Sequence, residues 1–442
     1  MNRIARLHPA VALWPLVLIL CAHSFAQQAD PAPDAPLQLQ VHVNRVLVPV
    51  VVRDKQGRAV GDLQKEDFQI FDNDQSKDIA AFMVESRQDT GVSGAGSQAV
   101  GQALPAQADA ASQTQVLPKR IIVFLFDDMH LSTADLVYAK KAAASALDGV
   151  LEDTGMGAVV TISGKVNSGV TRDRAALLKA ISSIQPRSIY QLDEAECPNI
   201  DYYQADLIEN KRDLAALGNA TRKVFSCNPG LDVGRDYNVA EQQAEAAARR
   251  VLNRGNQDVR STCASIAEFV RRMAPLPGQR TLILVSPGFL SVEQVATAAE
   301  QQIIELAAHA NVTISALDAR GLYTTELKAS DHSPDFNTVN GGGGGMQQAS
   351  DYRRSSMTLA EGALAELSDG TGGSFFHNSN DLAAGFKSLT EPPEFVYLLE
   401  LSLDGVKPDG SYHRLKVKVG RNGVQVQSRR GYFMPTPDKK KK

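Results

Sequence analysis

Tryptophan, cysteine and the compact motifs of common enzymes are all scarce in this sequence. The single tryptophan, Trp14, lies near the amino terminus. None of the four cysteines shows the cysteine–histidine spacing of a zinc site, which excludes a zinc finger or ribbon. There is no Gly-x-Ser-x-Gly elbow and no His-Glu-x-x-His pair, so two familiar hydrolase signatures are missing. Gly341–Gly345 lacks the Lys-Ser/Thr ending of a phosphate loop and reads as a linker. No concentrated basic surface is encoded either. The formal charge is −4, which argues against a nucleic-acid partner. Lys439–Lys442 is the one basic run and reads as a solvated tail.

Long apolar runs are equally few. Val11–Cys21 is far shorter than the roughly 20 residues of a spanning helix. Arg3 and Arg6 precede it, and Ser24-Phe25-Ala26 follows, so residues 1–26 are expected to be a cleaved secretory signal. Losing those two arginines takes the charge from −4 to −6. The mature chain, Gln27–Lys442, is then expected to be exported, periplasmic or secreted, with no transmembrane span. Lipoprotein anchoring through Cys21 is the weaker reading, because Leu20 stands where a small residue is wanted. An oxidising compartment permits a disulfide. Cys263 shares a helical stripe with Val259, Ile266, Val270 and Met273, the setting of a buried thiol. Cys197 and Cys227 flank a polar segment and are the expected pair.

What is present is a β–α/β–β order. Residues 37–86 read as strands, because 37–43 alternate with Leu37, Leu39, Val41 and Val43 on one face and Leu47-Val48-Pro49-Val50-Val51-Val52 is dense in β-branched side chains, with a turn at Asp54–Arg58. Residues 87–118 are rich in Gly, Ser, Ala and Gln and read as a flexible linker. From 119 to 390, buried strands such as Ile121–Phe126, Gly157–Ile162, Thr281–Val285 and Val312–Leu317 alternate with helices at 134–151, 173–184, 240–273 and 292–310. That alternation predicts a doubly wound, mostly parallel α/β sheet. Two departures interrupt it, an insertion at about 190–237 and a low-complexity loop at about 328–350. Gly370-Thr371-Gly372-Gly373 suits a helix stop. Residues 394–434 alternate again, and 435–442 form the basic tail. Small sheets need a partner, so both β ends are expected to build one accessory β-sandwich.

Several phrases in this order resemble the acidobacterial-type von Willebrand factor A-related family over most of the mature chain. They are Val50–Asp54 through Glu66-Asp67-Phe68, Phe126–Ser132, Gly169–Arg174, Val285–Phe289, Gly370–Gly373 and Arg429–Tyr432. The resemblance implies a fold more firmly than a function. Domains of the wider superfamily often hold a divalent cation through Asp-x-Ser-x-Ser, a loop threonine and a later aspartate. Here Asp128, His130 and Ser132 take the first spacing, and Thr171 stands for the threonine. A register from Asp127 would put Met129 and Leu131 at the hydroxyl positions. Ser286-Pro287-Gly288 replaces the acidic ligand, and histidine is a poor magnesium ligand. The implied site is therefore degenerate, and any magnesium or calcium is expected to bind weakly. Alternatively, Asp127 and Asp128 simply cap the helix starting near Ser132.

Two function classes follow. The first is an exported, non-enzymatic protein that binds another protein in adhesion or envelope scaffolding. The second is a hydrolase using the Asp128–His130–Ser132 cluster. Tyr190, Tyr202, Tyr203 and Tyr237 in the insertion either meet a partner or pack their own subdomain. The sequons at Asn219 and Asn311 are discounted as chance matches.

Overall fold

The structure is a computed structural model describing residues 45–86, 118–152, 155–187, 196–290, 292, 294–322, 342–391, 393–406 and 409–434. The expected signal segment with Trp14 and Cys21, residues 37–44, the expected linker at 87–117, Tyr190, residues 328–341 and the basic run Lys439–Lys442 lie outside the described residues. Strands β1 (Arg45–Asp54), β2 (Phe68–Asp72), β3 (Gln75–Lys77) and β4 (Ile79–Ser86) come first. The middle of the chain runs β5 (Arg120–Phe126), α1 (Thr133–Leu151), β6 (Met156–Thr161), α2 (Arg174–Ser183), α3 (Tyr202–Glu209), α4 (Leu214–Cys227) and α5 (Tyr237–Met273). It continues with β7 (Gln279–Ser286), α6 (Gln294–Ala310), β8 (Val312–Asp318), α7 (Gly342–Thr371), β9 (Phe375–Phe376) and α8 (Leu382–Thr390). Strands β10 (Phe395–Ser402), β11 (Tyr412–Val419), β12 (Val424–Ser428) and β13 (Gly431–Phe433) follow.

The unbroken apolar run of β5 has a direct cause, since both faces of its sheet are covered. Ile121, Val123 and Leu125 enter one core with α5, α6 and α7. Ile122, Phe124 and Phe126 enter the other with α1, α2 and α8. The five strands are parallel, in the order β6-β5-β7-β8-β9. Beyond β6 the chain turns at Gly164 and runs back antiparallel, with bridges Val160–Asn167 and Gly157–Thr171. The architecture is a doubly wound α/β sheet with helices on both faces.

The two β ends meet as one sandwich. One sheet runs β12-β1-β10-β4 and the other β13-β11-β2-β3. Val48, Val50, Ile70, Leu399 and Leu415 are buried between them. Tyr397 is buried there too, its hydroxyl donating to the Val60 carbonyl at 2.7 Å and accepting from the Leu63 N–H at 3.2 Å. Pro49 is tolerated inside β1 because β12 pairs only from Val50 onward. The sandwich is tied to the α/β sheet by Gln427, which donates to the Gly372 carbonyl at 2.9 Å, and by the Arg430–Glu366 ion pair at 2.9 Å.

One expectation fails in part. The low-complexity loop drawn to residue 350 is helical from Gly342 onward. Ala363, Leu364 and Leu367 anchor α7 in the core, and a nucleated helix extends at one hydrogen bond per residue even through poor formers. The helix stops at Gly372, whose φ of 78° is the left-handed conformation glycine tolerates.

The insertion forms a helical subdomain. Helices α3 and α4 pack on the amino-terminal half of α5 through small side chains, among them Ala205, Ala216, Ala220, Ala244 and Ala248. A disulfide joins Cys197 to Cys227, with Cα atoms 6.1 Å apart, so both helices sit inside one covalent loop. Cys263 is free and buried. Tyr202 donates to Asn256 and Tyr203 stacks edge-on against Tyr352, so these two tyrosines pack the subdomain. Tyr237 is 44% exposed.

Candidate functional site

Parallel strands deliver their carboxyl ends to one edge, where ligands of such sheets bind. Asp127 follows β5, Ser286 ends β7 and Asp318 ends β8, with Ser286 and Asp318 paired across the sheet. All three side chains are fully buried.

Asp127 is the centre. Its Oδ2 accepts from the Ser286 hydroxyl at 2.6 Å, and its Oδ1 accepts from the His130 backbone N–H at 3.1 Å. The His130 ring returns over the same carboxylate, with Nδ1 at 2.8 Å from Oδ1. The other ring nitrogen, Nε2, lies 2.6 Å from Oδ2 of Asp258. Ionised carboxylates only accept, so both ring nitrogens must donate and the ring is an imidazolium. Burial by itself would lower the His130 pKa. The charge and hydrogen bond of Asp127, reinforced by Asp258, outweigh it and push the value up to about 10.

Asp258 reaches this edge through helix length. Helix α5 leads into the amino end of β7, so it passes the sheet from carboxyl to amino end. The fifteen residues between Asp258 and Met273 span ~22 Å, close to the ~23 Å length of β7. Asp258 therefore stands where α5 first meets the sheet, beside the buried Val259.

Asp128 takes a different partner. Its Oδ1 accepts from the Ser163 N–H at 3.0 Å, and its Oδ2 accepts a short hydrogen bond from the Ser163 hydroxyl. Two further residues complete the edge. Arg320 chelates Asp318 at 2.6 and 2.9 Å and approaches Glu361 at 3.4 Å. Gly288, at φ 88°, lets the turn after β7 press against α7, where a Cβ would meet the Ala360 carbonyl at 2.4 Å.

The expected ligand set separates. Asp127, His130 and Ser286 do meet, but Asp128 turns to Ser163, and Ser132 and Thr171 do not join them. Ser132 is the N-cap of α1, its Oγ accepting from the Asp135 N–H at 3.1 Å and donating to the Asp135 carboxylate at 2.7 Å. Thr171 is carried back along β6 to Gly157, which pairs with Ile122 near the start of β5. From there to Thr161, which ends β6, is four strand residues, ~13 Å. The helix-capping role considered for Asp127 and Asp128 also falls to Ser132. Ser163, Asp258, Asp318, Arg320 and Glu361 were not anticipated.

These residues do not fit a divalent cation. A hard ion needs several free oxygens converging from one side. Both oxygens of Asp127 are engaged by Ser286, the His130 N–H and the His130 ring, whose positive charge faces that carboxylate, and Asp128 turns away to Ser163. Among the described residues, no group of three or more His, Cys, Asp or Glu side chains has metal-site geometry.

No family model and no curated protein matches this chain. Among solved structures, the chain is similar to the conserved hypothetical protein BatB from Bacteroides thetaiotaomicron at 12% identity and a TM-score of 0.28. That match covers 61% of this chain and 95% of that one. An aerotolerance-related membrane protein from Bacteroides fragilis matches at 12% identity and a TM-score of 0.28, over 61% and 96% of the two chains. Likeness this slight carries no functional argument. No helix among the described residues is long and apolar enough to cross a membrane.

Proposed function

We propose that this chain is an exported, non-enzymatic binding protein of von Willebrand factor A-like build, which docks another protein without recruiting a divalent cation. The observation that carries this reading is the clamping of His130 between Asp127 and Asp258 at 2.8 and 2.6 Å. A general base needs a free ring nitrogen within reach of the nucleophile. His130 has none to offer, and the Ser132 hydroxyl is bonded to Asp135 instead. The same clamp speaks against cation-mediated docking, because it neutralises the carboxylate a metal would use.

The docking element is assigned to the helical subdomain. Val233, Tyr237 and Val239, just before and at the start of α5 and beyond the disulfide-closed loop, are 65%, 44% and 47% exposed. Tyrosine and aliphatic side chains on a rigid support suit a protein interface. Crosslinking in cells, followed by capture with and without chelator, tests the reading. Capture that survives chelation and falls with Val233→Lys supports it. Loss on chelation, or ester or peptide hydrolysis abolished by Ser132→Ala, would sink it.

A further inference from the structure

Helices α1 and α2 lie on the same face of the α/β sheet and are tied at both ends. Lys140, early in α1, donates to the Ser182 and Ile184 carbonyls at 2.7 and 2.8 Å, where α2 ends. Arg174, which opens α2, pairs with Asp148 near the end of α1 at 2.7 Å. The two helices are therefore antiparallel. Between the ties runs a groove of about 460 Å³. Ala144, Leu178 and Ile181 form its floor, and Lys140, Lys141 and Lys179 its rim.

The rim reverses the charge of the chain, which is −4 as a whole. Lys140 serves α2, whose carbonyl end favours a cation. Lys141 and Lys179 are exposed and form no ion pair among the described residues, and Asp148 at the groove's end is taken by Arg174. Val137 is exposed and shares a helix face with Lys141 and Ala144, so the apolar strip continues past the lysines. From Val137 to Asp148 is about three helical turns, ~16 Å.

An apolar floor between cations selects its occupant by chemistry. A small anion would leave the floor bare, and a bilayer surface does not enter a recess between two helices. A helix with an apolar stripe flanked by carboxylates uses both features. Lying along the groove, it sets that stripe on Ala144 and Leu178 and its carboxylates against Lys141 and Lys179.

We infer that the groove between α1 and α2 docks an acidic amphipathic helix of a partner protein. This inference does not rest on the docking role given to the helical subdomain. The probe is a labelled peptide of about three helical turns, locked helical by a side-chain lactam, with a leucine stripe flanked by glutamates. Fluorescence anisotropy should show it binding the full chain, while the same peptide with lysine for glutamate does not bind. Raising salt from about 0.1 to about 1 M, which shortens the screening length from ~10 to ~3 Å, should weaken binding. The double variant Lys141→Glu, Lys179→Glu should bind at least ~tenfold more weakly with unchanged circular dichroism, since like charges then face each other. Ala144→Arg, which fills the floor but adds a positive charge, should also weaken binding, whereas Val233→Lys in the helical subdomain should not. Equal binding of the two peptides overturns the inference, as does undiminished binding by the double variant. Tighter binding by Ala144→Arg overturns it by reducing the contact to charge alone. Phosphatidylglycerol vesicles that compete the acidic peptide off overturn it in favour of a lipid surface.

Discussion

Replacing His130 with alanine strips a cation from between two poorly exposed carboxylates. The His130 ring is 16% exposed, Asp127 1% and Asp258 14%. Removing one partner of a buried ion pair costs about 3–5 kcal/mol. Linkage yields a similar figure. The interval between the ordinary 6.5 and about 10 corresponds to roughly 5 kcal/mol, as an upper bound. Because the folded value lies above the unfolded one, this stability is fully present below pH 6.5 and is lost as pH rises through about 10. Urea unfolding of wild type and His130→Ala across that range should show the gap between them closing as pH rises. The slope should approach about 1.4 kcal/mol per pH unit between the two values. A gap that stays constant with pH would refute the imidazolium assignment. A gap below about 1 kcal/mol near neutrality would show the pair to be worth no more than a surface contact.

The remaining expectations concern other parts of the chain. Burial, with a smaller contribution from Glu300, pushes the Cys263 thiol up to about 12, so it should resist alkylation in the native protein and react once denatured. The Cys197–Cys227 link closes a loop of sequence separation 30, and replacing both with serine should cost about 3–4 kcal/mol by chain entropy, read as an early-melting helical subdomain. Tyr397→Phe should cost about 1–3 kcal/mol in urea unfolding, because the Leu63 N–H and the Val60 carbonyl each lose their partner inside the sandwich.

Periodicity made the fold readable. The run Ile121–Phe126 can be apolar throughout only if both faces are covered, and the alternation Leu415-Lys416-Val417-Lys418-Val419 in β11 marks a strand with one buried face. Neither signal identifies which strands neighbour one another, yet two marginal β ends had no other partner to stabilise them. The site was legible only where its residues lie at strand ends. Asp127, Asp128 and Ser286 are such residues, and His130 is close to one. Thr171 was misplaced because a reversal at Gly164 leaves no periodic trace, and it moves everything after it to the opposite edge. Ser132 was misread because its spacing from Asp128 serves equally as an N-cap, and local hydrogen bonds to Asp135 win. Asp258 was missed because it is a polar position in a helix of 37 residues, and only the docking of α5 on the sheet brings it to His130.

The central claim is that this sheet edge carries its own cation. Long-range proton–nitrogen NMR of the imidazole rings tests it directly, with His130 assigned by the signal lost in His130→Gln. At pH 8, between the ordinary 6.5 and about 10, both ring nitrogens of His130 should be protonated, and neither magnesium nor chelator should move them. A ring with one bare nitrogen at that pH, or one whose signals shift on adding magnesium, would contradict the account.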